Sequence, residues 1–291
     1  MHKSVLKKEV LEYLAIDSNE NFVDTTAGRG GHAISILENN KPKGRVLGIE
    51  LTEKLYTRLL SLNINRLVLV NDSFINLEKI IEKNEFKPVS GILFDLGFSS
   101  WHIEESKKGF SFLRNEALDM RYNSKFTDLT ADEIVNEWTK TDIKRILKKY
   151  GEERFAERIS QNIVEKRKEE AIKTTFQLVE IVKQAVPVFY QRQRIHPATK
   201  TFQALRITVN DELKNLEKAL PQALEILKKR GRIVVISFHS LEDRIVKNYF
   251  KNMSKKGLIK ILTKKPIKPS KKEIINNPRS RSAKLRVAIR L

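Results

Sequence analysis

Residues 21–33, Asn-Phe-Val-Asp-Thr-Thr-Ala-Gly-Arg-Gly-Gly-His-Ala, constrain the fold more than any other stretch of the chain. The apolar residues at its start predict a short buried strand, the glycines predict a tight turn, and a helix is predicted from about His32. Gly28, Gly30 and Gly31 permit positive φ and let a ligand lie against bare backbone. The N–H groups at the helix start would face that ligand. This arrangement indicates a nucleotide-cofactor site.

Two carboxylates favour S-adenosylmethionine over a dinucleotide as the cofactor. Gly28-x-Gly30-x-x-Ala33 also fits the dinucleotide pattern, so the glycines alone leave both cofactors open. Asp24 ends the first predicted strand, where it would repel a pyrophosphate and attract the cationic end of S-adenosylmethionine. Glu50 ends the second predicted strand and suits the ribose hydroxyls of either cofactor. A generic turn with solvated acids is the alternative.

Composition narrows the class of protein. The 291 residues allow one large domain or two smaller ones, and 56 Lys and Arg against 36 Asp and Glu leave a formal net charge of +20. This excess favours a polyanionic partner, although a lysine-rich genome would give the same excess. Without a membrane-spanning run or a secretory signal, a cytoplasmic location is expected. The absence of cysteine excludes cysteine-adduct chemistry, so a methyl acceptor is expected to be nitrogen or oxygen.

Alternating strands and helices predict an α/β fold with a mostly parallel, doubly wound, Rossmann-like sheet. We expect this domain to be discontinuous, with residues 1–104 and 201–291, and residues 105–200 to form an inserted all-helical subdomain. An amphipathic helix is predicted over residues 2–15 and a further helix over Thr201–Ala219, and Gly231 is expected to end a helix. The predicted strands are Phe22–Thr25, Arg45–Leu51, Arg66–Asn71, Gly91–Leu96, Arg232–Phe238 and two late, partly antiparallel strands at 257–263 and Leu285–Leu291.

Polar residues recur where the predicted strands end, and the carboxyl ends of parallel strands line one crevice. Asp72 is placed to bind the adenine amino group, and Phe74 to cover the adenine ring unless it is an ordinary core residue. Asp95 ends a buried strand, so we expect its carboxylate near the methyl acceptor. Ser99 and Ser100 follow it, with a helix cap as the alternative interpretation.

The last predicted parallel strand is followed by His239 and Asp243, which also fit a helix N-terminus. Candidates to orient an acceptor amine or receive its proton are Asp95, Ser99, Ser100, His239 and Asp243. The helix near 201–219 carries Gln203, Arg206 and Asn210 at near-helical spacing, which suggests a site wall or a phosphate contact. The predicted RNA-binding residues are Arg194, Lys200, Arg206, Arg244, Arg279, Arg281 and Lys284.

Seven stretches together resemble the bacterial 16S rRNA (cytosine-N4) methyltransferases nearly from end to end. The resemblance implies a class I S-adenosylmethionine-dependent fold with a helical substrate domain inserted after the fourth strand. It also implies methylation of the N4 amine of a cytidine in the decoding (P-site) region of 16S rRNA in the small ribosomal subunit. The stretches are Asp24–His32, Gly91–Ser100, Gly109–Met120, Gly151–Arg158, His196–Glu212, Val235–Lys247 and Asn277–Val287.

Two positions depart from the family pattern. The family usually has Asp where this chain has Glu50, which still holds a ribose but reaches further. It usually has Gln, within a Pro-Gln pair, where this chain has Trp101-His102. The cofactor contacts that the resemblance implies are Gly30, Gly31, His32, Glu50, Phe74, Asp95 and His102.

Two other functions fit parts of the pattern. A nicotinamide-dependent oxidoreductase would keep the fold and change the chemistry, and an RNA-binding assembly factor would keep the pocket without using it. In-line methyl transfer to an amine requires no metal, and neither a metal nor a membrane partner is expected. The sequence leaves monomer and dimer open.

Overall fold

The computed structural model describes residues 3–291, and the chain forms two compact units. One comprises Met1–Gly97 with Leu213–Leu291, and the other is Phe98–Glu212. These borders differ from the expected ones at 104/105 and 200/201. The side chains of Phe98, Phe202 and Leu205 pack into the apolar core of the second unit, so burial moves both borders outward from the insertion.

The first part of the chain alternates strands and helices as expected. It forms α1 Lys7–Leu14, β1 Asn21–Asp24, α2 Gly31–Asn39, β2 Arg45–Ile49, α3 Glu53–Leu60, β3 Leu67–Val70, a 3-10 turn at Phe74–Asn76, α4 Leu77–Lys83 and β4 Val89–Asp95. The predicted helix at 2–15 begins at residue 2, which lies outside the described residues. Among the described ones it begins only at Lys7, since Leu6 has a left-handed backbone with φ 51°.

The second unit is helical, as predicted for the insertion. Its helices are α5 Ser100–Glu104, α6 Ala131–Glu137, α7 Lys140–Gly151, α8 Ala156–Glu169, α9 Thr175–Ala185, α10 Val188–Gln191 and α11 Thr199–Asn210. The helix predicted over Thr201–Ala219 is interrupted at Asp211, whose φ of 49° ends α11. The helical stretch therefore divides between the two units.

The rest of the chain returns to the first unit. It forms α12 Glu212–Ile226, β5 Leu227–Ser237, α13 Ser240–Lys255, β6 Ile259–Ile261, α14 Lys271–Asn276, a 3-10 turn at Pro278–Ser282 and β7 Lys284–Arg290. The prediction that Gly231 ends a helix is wrong, because α12 ends at Ile226 and Gly231 lies within β5. A Cβ at Gly231 would lie 2.9 Å from the carbonyl oxygen of Lys228, so close backbone packing explains this glycine.

The sheet confirms the expected mostly parallel, doubly wound class. Its strand order is β3-β2-β1-β4-β5-β7-β6. Strands β1 to β5 are parallel, and β7 runs antiparallel to β5 and β6. The chain order reverses at β1, which lies between β2 and β4. In such sheets ligands bind outside the carboxyl ends of the strands at this switch point.

Alternating side chains of the strands cover both faces of the sheet. Phe22 packs into a core with Leu14 of α1 and Ile36 of α2. Val23, the next residue, belongs to the opposite core with Ile81 of α4. Strands β1, β2 and β4 are buried on both faces, as expected where helices cover a parallel sheet, whereas the edge strand β3 is half-buried. None of the helices in the described part of the chain combines the length and apolar character needed to cross a membrane.

Candidate functional site

The glycine turn between β1 and α2 has the predicted backbone. Gly28 and Gly30 have φ values of 54° and 83°, in the left-handed region where glycine is favoured. Gly31 differs, because it is the first residue of α2 and a Cβ there would overlap the Ser4 hydroxyl. Glycine is therefore favoured at Gly28 and Gly30 by the backbone conformation. At Gly31 it is required because a side chain would collide with Ser4.

Glu50, which follows β2, holds the glycine turn in place. Its Oε2 accepts from the backbone N–H of Gly28 at 2.7 Å, and its Oε1 accepts from that of Thr52 at 2.7 Å. Burial raises the pKa of this carboxyl, while the Thr52 and Gly28 hydrogen bonds oppose the shift. Each carboxylate oxygen has two lone pairs. The two N–H contacts therefore leave acceptor capacity that suits the two hydroxyls of a ribose.

Asp24 ends β1 with a buried carboxyl group that is only half satisfied. Its Oδ1 accepts from the backbone N–H of Thr26 at 3.1 Å, whereas Oδ2 is buried without a hydrogen-bond partner among the described residues. Burial raises the pKa of Asp24 to about 6, against the opposing effect of His32. A buried anionic oxygen without a donor is costly. This atom therefore points to a positively charged or hydrogen-bonding ligand.

Asp95 lies beside Asp24 at the carboxyl end of β4. Thr26 joins them, because its hydroxyl lies 3.4 Å from Asp24 Oδ1 and accepts from the Asp95 backbone N–H at 2.9 Å. Asp95 Oδ1 is a second buried oxygen without a partner among the described residues. The structure therefore brings together the two carboxylates that the strand-end pattern predicted.

His32, in the first turn of α2, lies beside these carboxylates. Its Nε2 is 3.5 Å from Asp95 Oδ2, and neither ring nitrogen makes a hydrogen bond among the described residues. Burial alone would lower the pKa of His32, but Asp95 and Asp24 outweigh burial and raise it, with Lys7 opposing them. His32 is therefore an imidazole that the acids favour as a cation.

Asp72 and Phe74 follow β3, as predicted. Asp72 Oδ1 accepts from the Ser73 backbone at 2.6 Å and from the Asn76 side chain at 2.9 Å, which fixes the turn. The ring of Phe74 is half-buried and meets the edge of Phe94 at 5.8 Å between centroids. Phe74 therefore packs against the core while keeping part of its ring exposed.

Ser99, Ser100 and His102 belong to the helical unit. The Ser99 backbone N–H donates to His102 Nδ1 at 3.2 Å, in a capping box at the start of α5. The ring of His102 is buried, 5.0 Å from the centroids of both Phe110 and Tyr122. Burial, with Lys108 and Arg206, lowers the pKa of His102 to about 3. His102 is thus a neutral core residue, and a contact with the cofactor stays a prediction.

His239 and Asp243 begin α13, where both support the helix. His239 is the N-cap, and its Nδ1 accepts from the Glu242 backbone at 3.4 Å, while its buried Nε2 lies 3.3 Å from Glu242 Oε1 and makes no hydrogen bond among the described residues. Asp243 accepts from Arg286 Nε at 2.6 Å and from Lys284 Nζ at 3.1 Å. Despite partial burial, these two cations lower the pKa of Asp243, which makes it a weak proton acceptor.

The predicted RNA-binding residues fall into two groups. Arg206 pairs with Glu212, Lys284 with Asp243, and the Lys200 ammonium donates to a backbone carbonyl at 3.0 Å, so all three have partners within their own unit. The side chains of Arg194, Arg244, Arg279 and Arg281 are exposed. Exposed guanidinium groups are the more accessible ones for phosphate binding.

The polar face predicted on α11 is used inside the helical unit. Gln203 donates to the Tyr150 carbonyl at 2.8 Å, and Asn210 donates to that of Met120 at 2.8 Å. Buried polar side chains need such partners. Gln203 and Asn210 are half-buried and make these contacts within the helical unit, so a site wall or a phosphate contact stays a prediction.

Two features were missed by sequence reasoning. The ion pair of Asp243 with Arg286 joins α13 to β7, 43 positions apart, and no local pattern connects them. Phe189 in α10 is 60% exposed between Val188 and Ile195, which are 59% and 56% exposed. The run 181–210 contains no Asp or Glu, which is the signal that could have identified this exposed apolar and basic segment.

Comparisons with known proteins agree with one another. The model of the MraW methylase family matches residues 1–291. A protein named Ribosomal RNA small subunit methyltransferase H from Sulfurihydrogenibium sp. is 47% identical over 293 residues, covering 100% of this chain and 99% of that protein. Proteins of the same name from Sulfurihydrogenibium azorense and Halothermothrix orenii are 48% and 44% identical, covering 100% of this chain and 99% and 98% of their own.

Proposed function

The chain belongs to the MraW methylase family, and from that premise we propose that it methylates the N4 amine of a specific cytidine in the decoding region of 16S rRNA. Membership makes the chain an S-adenosylmethionine-dependent methyltransferase that acts on small-subunit ribosomal RNA. The proposal adds the acceptor atom, the nucleotide and the residues that serve the reaction. A ribosomal RNA substrate implies that the protein acts in the cytoplasm.

One observation carries the cofactor part of the proposal. Asp24 Oδ2 and Asp95 Oδ1 are buried without hydrogen-bond partners among the described residues, beside a glycine turn at the switch point of the sheet. A pyrophosphate would add negative charge to these carboxylates, whereas a sulfonium cofactor offsets it. The residues present therefore fit S-adenosylmethionine better than a nicotinamide dinucleotide.

The residues of this unit divide the work of holding the cofactor. Glu50 accepts the ribose hydroxyls, Asp72 binds the adenine amino group, and Phe74 covers the adenine ring. Gly28, Gly30, Gly31 and His32 line the turn. When bound, the cofactor supplies an electrophilic methyl group.

The acceptor is a poor nucleophile, because the lone pair of the cytosine amine is delocalised into the ring. We assign Asp95 the task of accepting a hydrogen bond from this amine and aligning it. Positioning of this kind contributes about 7–11 kcal/mol of barrier lowering. His239 stays a candidate to receive the proton at Nδ1, which accepts only a long hydrogen bond of 3.4 Å from the Glu242 backbone, whereas Nε2 carries the hydrogen of the neutral ring and lies 3.3 Å from Glu242 Oε1. Ser99 and Ser100 remain candidates to orient the base.

The target base must be unstacked before its amine is reached. We assign the exposed basic side chains to the RNA backbone and Phe189 to stacking on an unpaired base. The absence of acids from the run 181–210 supports the assignment of Arg194 and Phe189, because the run itself adds no negative charge that would repel RNA. The basic side chains assigned to the RNA backbone are those of Arg194, Arg244, Arg279 and Arg281.

Transfer of a tritiated methyl group to small ribosomal subunits that lack the modification tests the function. We expect labelled N4-methylcytidine in the nucleoside digest. Label on another nucleoside would refute the acceptor, and no label would favour a binding factor. Affinity for NAD(H) without affinity for S-adenosylmethionine would favour the oxidoreductase.

Asp95→Asn tests the role of the carboxylate, with Asp17→Asn, an exposed acid of the same unit, as the control. We expect Asp95→Asn to lower kcat by at least tenfold while the control keeps full activity. Unchanged kcat and cofactor affinity in Asp95→Asn would remove Asp95 from the mechanism.

A further inference from the structure

Asp24 and His32 are buried side chains that cluster with the half-buried Asp95, whose side chain is 22% exposed. Asp24 is 1% and His32 6% exposed, so water contributes little to stabilising their charges. Both nitrogens of His32 and one oxygen of each carboxylate lack hydrogen bonds among the described residues. Two anions side by side in a buried site need a counter-charge. Within the cluster, only the imidazole can supply one.

The surrounding groups favour that charge on balance. Burial lowers the pKa of His32 most strongly, but Asp95 on β4 and Asp24 on β1 together raise it above its ordinary value, with Lys7 on α1 opposing them. The second carboxylate of the turn, Glu50 after β2, interacts electrostatically with Asp24 and adds negative charge to the same region. The site therefore holds a surplus of acids around one titratable base.

A sulfonium cofactor and a protonated His32 would compete for the same carboxylates. We propose that His32 is the internal counter-cation of Asp24 and Asp95, and that it releases its proton when the cationic cofactor binds. This inference rests on the proposed cofactor site. The proton leaves His32 for solvent, and no other bond is made or broken. His32 acts here as a positioning residue that holds both carboxylates ready for a positive ligand.

The same exchange distinguishes the cofactor from the spent product. S-adenosylhomocysteine differs from the cofactor by one methyl group and one positive charge, so it leaves His32 protonated. Loss of the sulfonium charge during methyl transfer then lets His32 regain a proton. Below the pKa of His32, the cofactor Kd is expected to rise by up to about tenfold per pH unit, and the product Kd to change much less. Acidic conditions therefore favour the product over the cofactor.

Calorimetry on the full chain measures the linkage directly. Each ligand is titrated at pH 6.5, near the ordinary pKa of histidine, in two buffers of different ionisation enthalpy. We expect net proton release with S-adenosylmethionine and markedly less with S-adenosylhomocysteine. Equal release for both ligands would overturn the proposal.

Nitrogen-15 NMR of the imidazoles separates His32 from Asp24, whose pKa near 6 would also release protons. We expect the His32 nitrogens of the free protein to show an imidazolium at pH 6.5 and a neutral ring with S-adenosylmethionine. A neutral His32 in the free protein would refute the assignment without any substitution. The assignment of the signal comes from His32→Gln.

His32→Gln also tests the linkage, with His196→Gln in the helical unit as the control. We expect His32→Gln to lose most of the difference in proton release between the two ligands, and His196→Gln to retain it. Binding of S-adenosylmethionine without any proton release would defeat this inference and leave the proposed function standing. Failure of the unsubstituted protein to bind S-adenosylmethionine would defeat both.

Discussion

The carboxylate of Glu212 receives two parallel hydrogen bonds from Arg206, Nε to Oε1 at 2.8 Å and Nη2 to Oε2 at 2.9 Å. The two side chains are only 12% and 10% exposed. The Arg206 guanidinium also lies 4.4 Å from the ring centroid of Phe98, and the hydroxyl of Tyr122 donates to Glu212 at 2.8 Å. Arg206 is therefore held on its edge and its face within the helical unit.

Replacing Arg206 with Ala should destabilise the protein more than it weakens RNA binding. It leaves the buried Glu212 carboxylate without its main partner, a loss of about 2–5 kcal/mol in the free energy of unfolding. Urea denaturation measures this loss. The exposed Arg194 is the control, because Arg194→Ala should leave stability unchanged and reduce the salt slope of RNA binding by about one. If Arg206→Ala instead lowered the salt slope of RNA binding and left stability unchanged, Arg206 would be a phosphate-binding residue.

Glu50→Ala is expected to weaken cofactor binding and loosen the glycine turn. It removes the acceptor of the Gly28 and Thr52 N–H groups, which should cost about 1–3 kcal/mol in the free energy of unfolding. Loss of the ribose contacts should raise the Kd for S-adenosylmethionine by about tenfold or more. Calorimetry measures both, with the exposed Glu53→Ala as the control. A Kd that matches the control would remove Glu50 from the site.

Because the buried His102 ring has a lowered pKa, we expect the protein to lose stability in mild acid. Its pKa is about 3 in the folded protein and about 6.5 when unfolded, so the unfolded chain binds more protons between these values. Its stability contribution is full above pH 6.5 and falls by up to about 1.4 kcal/mol per unit as pH drops through this window. Denaturation of His102→Gln between pH 7 and pH 5 should show a shallower slope than the unsubstituted protein. An unchanged slope would mean that this ring is not buried in neutral form.

Phe189→Ala should weaken RNA binding without destabilising the helical unit, because the ring is already 60% exposed. Stacking on a base is worth about 1–3 kcal/mol, so we expect the Kd for a substrate RNA fragment to rise about 5- to 150-fold. Filter binding measures this change. Phe176→Ala is the matched control, since Phe176 is 46% exposed on α9, where Glu180 lies four positions on. Equal effects of both substitutions would argue against stacking.

Local patterns were enough to find most of the scaffold. Apolar runs located the strands, and the polar residues after them located Asp24, Glu50 and Asp95 at the edge where the structure has them. Such patterns succeed because side chains alternate along buried strands and because parallel strands end at one edge. They failed at Gly231, which does not end a helix. Glycine occurs there because neighbouring backbone atoms leave no room for a Cβ.

Side-chain partners were harder to foresee, because they join distant positions. Arg206 and His102 look from their motifs like ligand contacts, yet the fold supplies Glu212 to one and aromatic rings to the other. Asp243 looks like a proton acceptor until Arg286 is found beside it. Burial forces each polar group to find a partner, and which partner is near depends on packing.

The sequence by itself determined the order of strands and helices, the glycine turn with its acids and the excess of positive charge, since these follow from local periodicity and composition. Only the tertiary structure decided which of those charges are neutralised internally. It placed His32 beside Asp95 and Asp24 and left one oxygen of each carboxylate without a hydrogen-bond donor among the described residues. The physical reason is that the free energy of a charge depends on how far it is from water and on which groups surround it.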